Sequence, residues 1–140
     1  MQKKIFLDAN ILIELVNKHN ELNKEITFLF NGIIRNKDLF YCSPTSFAIT
    51  YFFLGKYLKE KKSLNEITEE FFSGFHFTSE NRLIMRKVIK SQFRDLEDAL
   101  QYFSAQDSGV DIIITKNFFD YEHSLIPVYH PLEYINQFLI

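Results

Sequence analysis

The sequence predicts an α/β fold, a three-layer α/β/α sandwich around a central, mainly parallel sheet of four or five strands. Three observations carry this prediction. Short β-branched and aromatic runs recur along the chain, and segments with helical apolar spacing separate them. The run DIIIT at 111–115 is apolar without alternation, as expected for a strand covered on both faces. Strands joined through helices pair in parallel, with right-handed crossovers.

In chain order, strands are expected at 3–8, 38–43, 111–115 and 126–130, with FHFTS at 75–79 a weaker fifth. The first helix covers 10–16. The second, 21–34, carries Ile26, Leu29, Phe30, Ile33 and Ile34 on an apolar stripe. Pro44 opens a third helix, at the position where a missing N–H costs nothing, and this helix runs to about Lys61. KEKKS at 59–63 reads as an exposed turn before a helix at 64–72. Helices at 80–92 and 96–107 follow, the latter ended by Gly109 as its C′ residue, and a last helix covers 131–138.

With 46% apolar residues and 16 phenylalanines, the chain has the material for one packed core, so residues 1–140 are expected to form a single domain. No run is long enough to span a bilayer and none has signal-peptide flanks, so a cytoplasmic protein with no membrane partner is expected. Cys42, the single cysteine, excludes an internal disulfide and reads as a small core residue. A net charge of −2 does not announce a nucleic-acid binder, although a local basic patch is compatible with it.

The chemistry is concentrated in acidic residues at predicted strand ends. Asp8 closes the first strand, where ligands commonly sit in an open parallel sheet. Asp95 and Asp98 lie three apart at a helix start. Helix capping accounts for Asp95, but Asp98 borders the buried stripe that begins at Ala99 and Leu100. Thr115, Asn117 and Asp120 follow the DIIIT strand, where a capped turn is the simpler reading. A parallel sheet brings these three segments to one edge, where several carboxylates repel unless a cation neutralises them. Oxygen donors of this kind suit Mg²⁺ or Mn²⁺, and such a site can activate water against a phosphodiester. The four histidines are scattered and support no zinc site.

Arg82, Arg86, Lys90 and Arg94 recur at spacing four, which keeps them on one side of a helix that leads toward Asp95 and Asp98. Met85 and Ile89, with Ile84 and Val88, are expected to face the core. The basic row is either a solvated helix face or a track for an RNA backbone. Lys56, Lys59, Lys61 and Lys62 form a second basic cluster. Tyr51, Phe52, Phe53 and Tyr57 read as core or as a partner interface.

The segments FLDANILIEL, SPTSFAITYF and DLEDALQYFSAQDSGVDIIITKNFFDY, in that order, resemble the PIN-domain ribonucleases, in particular the VapC-like toxin branch. The resemblance implies a PIN-like fold and a metal-dependent endoribonuclease, the toxin of a type II toxin–antitoxin pair. It further implies an RNA substrate, an antitoxin partner and a homodimer. By that resemblance Asp8, Asp98 and Asp120 hold the metal, Asn117 joins them in catalysis, and Asn10 and Thr115 support the site. Asp95, Glu97 and Glu14 are neighbours able to assist. One acid of the family pattern is missing, because Ile49 and Thr50 stand where a helix normally supplies Glu. The alternatives are a degenerate PIN-like domain that binds RNA or protein without cutting, and a receiver-like phosphotransfer domain. The latter lacks its expected lysine, since Lys116 heads the T-x-N motif.

Overall fold

The computed structural model describes residues 2–140. Five strands form one sheet: β1 (Lys4–Leu7), β2 (Leu39–Cys42), β3 (Phe75–Phe77), β4 (Ile112–Ile114) and β5 (Val128–Tyr129). All neighbours are parallel, in the spatial order β3-β2-β1-β4-β5. The order reverses direction at β1, so the loops after β1 and β4 open a crevice at the C-terminal edge, where such sheets place their ligands. The weak fifth strand is real: Phe75 to Phe77 pair with Phe40 to Cys42 and form one edge.

Alternation along the strands builds two cores. Ile5 and Leu7 of β1, with Ile112 and Ile114 of β4, face α1 (Ala9–Val16), α2 (Asn23–Arg35) and α7 (Pro131–Tyr134). Phe6 and Ile113 point the other way, onto Tyr102 and Ala105 of α6 (Leu96–Asp107). Helix α5 (Arg82–Lys90) packs on α6 through Ile84, Val88 and Ala99. Cys42 is buried in the first core, and burial pushes its thiol up to about 12, so it is an inert apolar filler.

Several expected boundaries move. The third helix, α3 (Pro44–Tyr57), stops before Lys59, and α4 (Lys61–Phe72) begins inside the segment expected to be a turn. The turn therefore shrinks to Leu58–Glu60, because Lys61 and Lys62 are good helix formers on an exposed first turn. The last helix continues beyond Tyr134 as a wider π-type turn over Ile135–Leu139. Helix α5 also corrects the expectation for Met85 and Ile89. Only Ile84 and Val88 are buried, while Met85 is 47% and Ile89 76% exposed. A short helix that packs through a single neighbour has one narrow buried stripe, and positions one residue further round fall outside it. No helix among the described residues is long and apolar enough to cross a membrane.

Candidate active site

The register of β1 against β4 pairs Leu7 with Ile114, so the next residues, Asp8 and Thr115, leave the sheet side by side. The Asp8 amide still donates to the Ile114 carbonyl at 3.1 Å, which fixes both side chains at the crevice. Asp8 is at once the N-cap of α1 and a buried site carboxylate. Its Oδ1 accepts a long 3.5 Å bond from the Asn10 amide. Its Oδ2 accepts from the Thr115 hydroxyl at 2.7 Å, the Tyr121 hydroxyl at 3.1 Å and the Asn10 carboxamide at 3.3 Å. Burial nevertheless raises the Asp8 pKa above the ordinary carboxylate range, against hydrogen bonds from Thr115, Tyr121, Gln101 and the Asn10 backbone.

Asp95 caps α6, its carboxylate accepting from the Asp98 amide at 3.0 Å, in line with the capping reading. That bond seats the first turn so that Asp98, 5% exposed, turns inward. The Asp98 carboxyl is pushed up to about 8, by burial first and then by the charges of Asp8 and Asp95. The nearby Asp120 carboxyl adds to this in the same direction. Asp8, Asp95 and Asp120 thus all bear on the Asp98 carboxyl. Burial, followed by the charges of Asp8 and Asp98, also raises the Tyr121 phenol well above its ordinary value, which keeps it a neutral donor.

The remaining expected residues divide. Asn10 bridges Asp8 and the Thr115 hydroxyl, and its carboxamide oxygen accepts from the Lys116 amide at 3.1 Å. Asn117 begins the 3₁₀ turn Phe118–Tyr121 without a side-chain cap, and its amide donates to Thr115 Oγ1 at 3.0 Å. Its side chain is exposed, as is that of Glu97. Glu14 is buried, but Lys116 holds its Oε1 at 2.5 Å, so this carboxylate carries its own cation. Arg82, Arg86 and Lys90 lie exposed on α5, whereas Arg94 falls beyond that helix, in the link to α6. Among the described residues none of the four is ion-paired.

Helix α3 supplies no acid. Ile49 is half-buried, and the Thr50 hydroxyl bonds back to the Ser46 carbonyl at 2.8 Å. A neutral network stands here instead: Gln101 Oε1 accepts from the Ser46 hydroxyl at 2.8 Å and the Ala9 amide at 3.0 Å. Gln101, Ser46, Tyr121 and Lys116 are the site residues that the sequence reading passed over. Gln101 had a usable signal, since it lies three residues after Asp98 on the inward face of α6. Tyr121 had none, because an aromatic after Asp120 reads as core until its hydroxyl is seen on Asp8.

The oxygen donors suit a hard divalent cation in kind. Among the described residues, however, no three His, Cys, Asp or Glu side chains gather into a ready-made cage. Mg²⁺ does not require one, since it keeps several waters and binds through one or two carboxylates. Asp8 offers its less committed oxygen, Oδ1, and Asp98 and Asp120 offer further carboxylate oxygens.

Fold and site together define a small α/β domain with an acidic crevice at the topological switch point. The sequence profile of the PIN domain matches residues 4–118, and the chain belongs to that family. It is 25% identical over 120 residues to Ribonuclease VapC1 of Aquifex aeolicus (strain VF5), covering 82% of each chain. Its fold is similar to that of VapBC-1 from nontypeable Haemophilus influenzae, with a TM-score of 0.68 at 17% identity over 92% of this chain and 98% of that one. It is likewise similar to VapC20 of Mycobacterium tuberculosis, described as a sarcin-ricin loop cleaving toxin. That match has a TM-score of 0.61 at 12% identity over 78% of this chain and 86% of the other.

Proposed function

We propose that this chain is a Mg²⁺- or Mn²⁺-dependent endoribonuclease of the cytoplasm, the toxin of a type II toxin–antitoxin pair. The observation that supports the proposal is the buried Asp98 carboxyl beside the switch point, pushed up to about 8 by burial first and then by the charges of Asp8, Asp95 and Asp120. Asp8, Asp98 and Asp120 would hold the cation, which when bound supplies an activated water and offsets charge on the phosphodiester. Thr115, Tyr121 and Asn10 orient Asp8 by fixing its Oδ2. Asp120 stands at the exposed rim, where it would meet the substrate side of the site. The unpaired row Arg82, Arg86, Lys90 and Arg94 would take up phosphates of the RNA backbone.

The similarity to a ribonuclease and to VapBC-type proteins supports the reaction class and an antitoxin partner. An exposed apolar strip on α3 supports a homodimer or an antitoxin contact, with Phe52 and Tyr57 exposed beside half-buried Tyr51 and Phe53. The test is RNA cleavage by purified protein with Mn²⁺. Asp8→Asn and Asp98→Asn are each expected to lower the rate at least about 100-fold, beyond what supporting residues around a metal usually cost. Equal cleavage by wild type and both variants would identify a contaminant and end the proposal.

A further inference from the structure

A cavity of about 230 Å³ opens beside Asp120, between the α5–α6 link and the segment that follows β4. Phe93, Phe119 and His123 give it aromatic walls, and Gln92 and Arg94 give it polar edges. Phe119 is 86% exposed, although a phenylalanine at a packing position would be covered. We infer that this cavity is a nucleobase subsite of the RNA-binding surface, stacking one base of a single strand beside the acidic crevice. The inference rests on the ribonuclease reading and adds where the substrate's base goes.

Size, charge and position favour this occupant. The cavity is smaller than the roughly 300–1,000 Å³ of pockets for drug-sized ligands, so it takes a single ring system and not a whole nucleotide. Two carboxylates line it, Asp120 and Glu122, and Oε1 of the latter lies 3.5 Å from His123 Nε2. With only Arg94 and the paired His123 against them, a phosphate is disfavoured there, while a flat neutral ring with polar edges is accommodated. Aromatic faces accept any base, because every base presents a π face. Asp120 lines this cavity and also bears on the Asp98 carboxyl, so the cavity lies beside the acidic crevice. Arg94 lines the cavity and follows the exposed Arg82, Arg86 and Lys90 of α5 in the chain, so a strand whose phosphates meet α5 would bring a base against Phe119.

The test is binding of a short single-stranded RNA carrying 2-aminopurine, measured by fluorescence in EDTA so that nothing is cut. Wild type is expected to quench the probe on binding. Phe119→Ala should weaken affinity roughly 10-fold, within the range for loss of one base stack, and Phe119→Tyr should bind like wild type. The exposure of Phe119 keeps Phe119→Ala folded, and its melting curve checks this. If Phe119→Ala binds as tightly as wild type while wild type still cleaves RNA with Mn²⁺, the subsite inference falls and the nuclease reading stands. If binding depends on Phe119 but no divalent ion supports cleavage, the subsite stands and the nuclease reading falls. Absence of RNA binding by wild type overturns both. Loss of a co-purified protein partner in Phe119→Ala, with RNA binding intact, reassigns the cavity to that partner and also overturns the inference.

Discussion

Glu14 lies one helical turn beyond Asn10 on the same face of α1, and it shows how a single ion pair can fix a loop. Its Oε1 is held by Lys116, and its Oε2 is buried without a hydrogen-bond partner. Lys116 also donates its amide to the Asn10 carboxamide, so the residue after Thr115 is tied to α1 at two points. Thr115 therefore keeps its place on Asp8, and Glu14 is a positioning residue with its charge already spent. Lys116→Met should leave a buried carboxylate uncompensated and lower stability by about 1–3 kcal/mol, discounted from the fully buried case because the lysine is partly exposed. Glu14→Gln in the same chain should recover much of that loss. Urea unfolding of the two single variants and the double variant measures the coupling, and additive losses would show that the pair is not what anchors the loop.

At the scale of elements, the two helices that feed the central strands end in the same way. After α2, the Lys37 amide donates to Ile34 and the Asp38 amide to Ile33. After α6, the Gly109 amide donates to Gln106 and the Val110 amide to Ala105. Both are Schellman closures, with the C′ residue in the left-handed region at φ 60° for Lys37 and φ 67° for Gly109. Glycine takes this conformation without penalty and lysine does not. Lys37→Gly is expected to stabilise the fold by about 0.5–1 kcal/mol and Gly109→Ala to destabilise it by about 1 kcal/mol, both read by chemical denaturation. No Cβ contact obscures the second test, since the space beside Gly109 is open. Gly109 was legible in the sequence because glycine announces this turn, whereas nothing in the letters around Lys37 did. The same contrast holds for the site. Asp8, Asp98 and Thr115 were legible because strand ends and helix starts have fixed places in a parallel sheet. Tyr121 and Gln101 depend on which way a side chain turns inside the core, and Met85 and Ile89 on which neighbour their helix finds. Those are tertiary choices that local periodicity does not contain.

For the whole molecule, the acidic crevice links protonation to stability, and the proposed cation site would enter the same balance. Asp98 has an ordinary value of 3.8 and is raised to about 8 in the folded chain, with Asp8 raised as well. The folded protein therefore holds protons that the unfolded chain releases between those limits. Stability is greatest at the acid end of this window and falls as pH rises toward about 8. In EDTA the melting temperature should decline from pH 5 to pH 8, with the loss levelling off once pH passes about 8. Asp98→Asn removes one titrating group, so its profile should be flatter and its melting temperature at pH 8 higher than wild type by roughly 3–6 °C. Under the proposed function, a divalent cation would take over the role of the proton. Mn²⁺ at about 100 times its dissociation constant contributes about 2.7 kcal/mol, which is roughly 8 °C for a chain of this size. That rise should be largest at pH 8, smaller at pH 5 where protons compete for the same oxygens, and absent in Asp98→Asn. Differential scanning calorimetry across this grid of pH, cation and variant separates the two causes. Parallel pH profiles for wild type and Asp98→Asn in EDTA would remove Asp98 as the source of the linkage. A Mn²⁺ shift that survives in Asp98→Asn would place the cation elsewhere on the molecule.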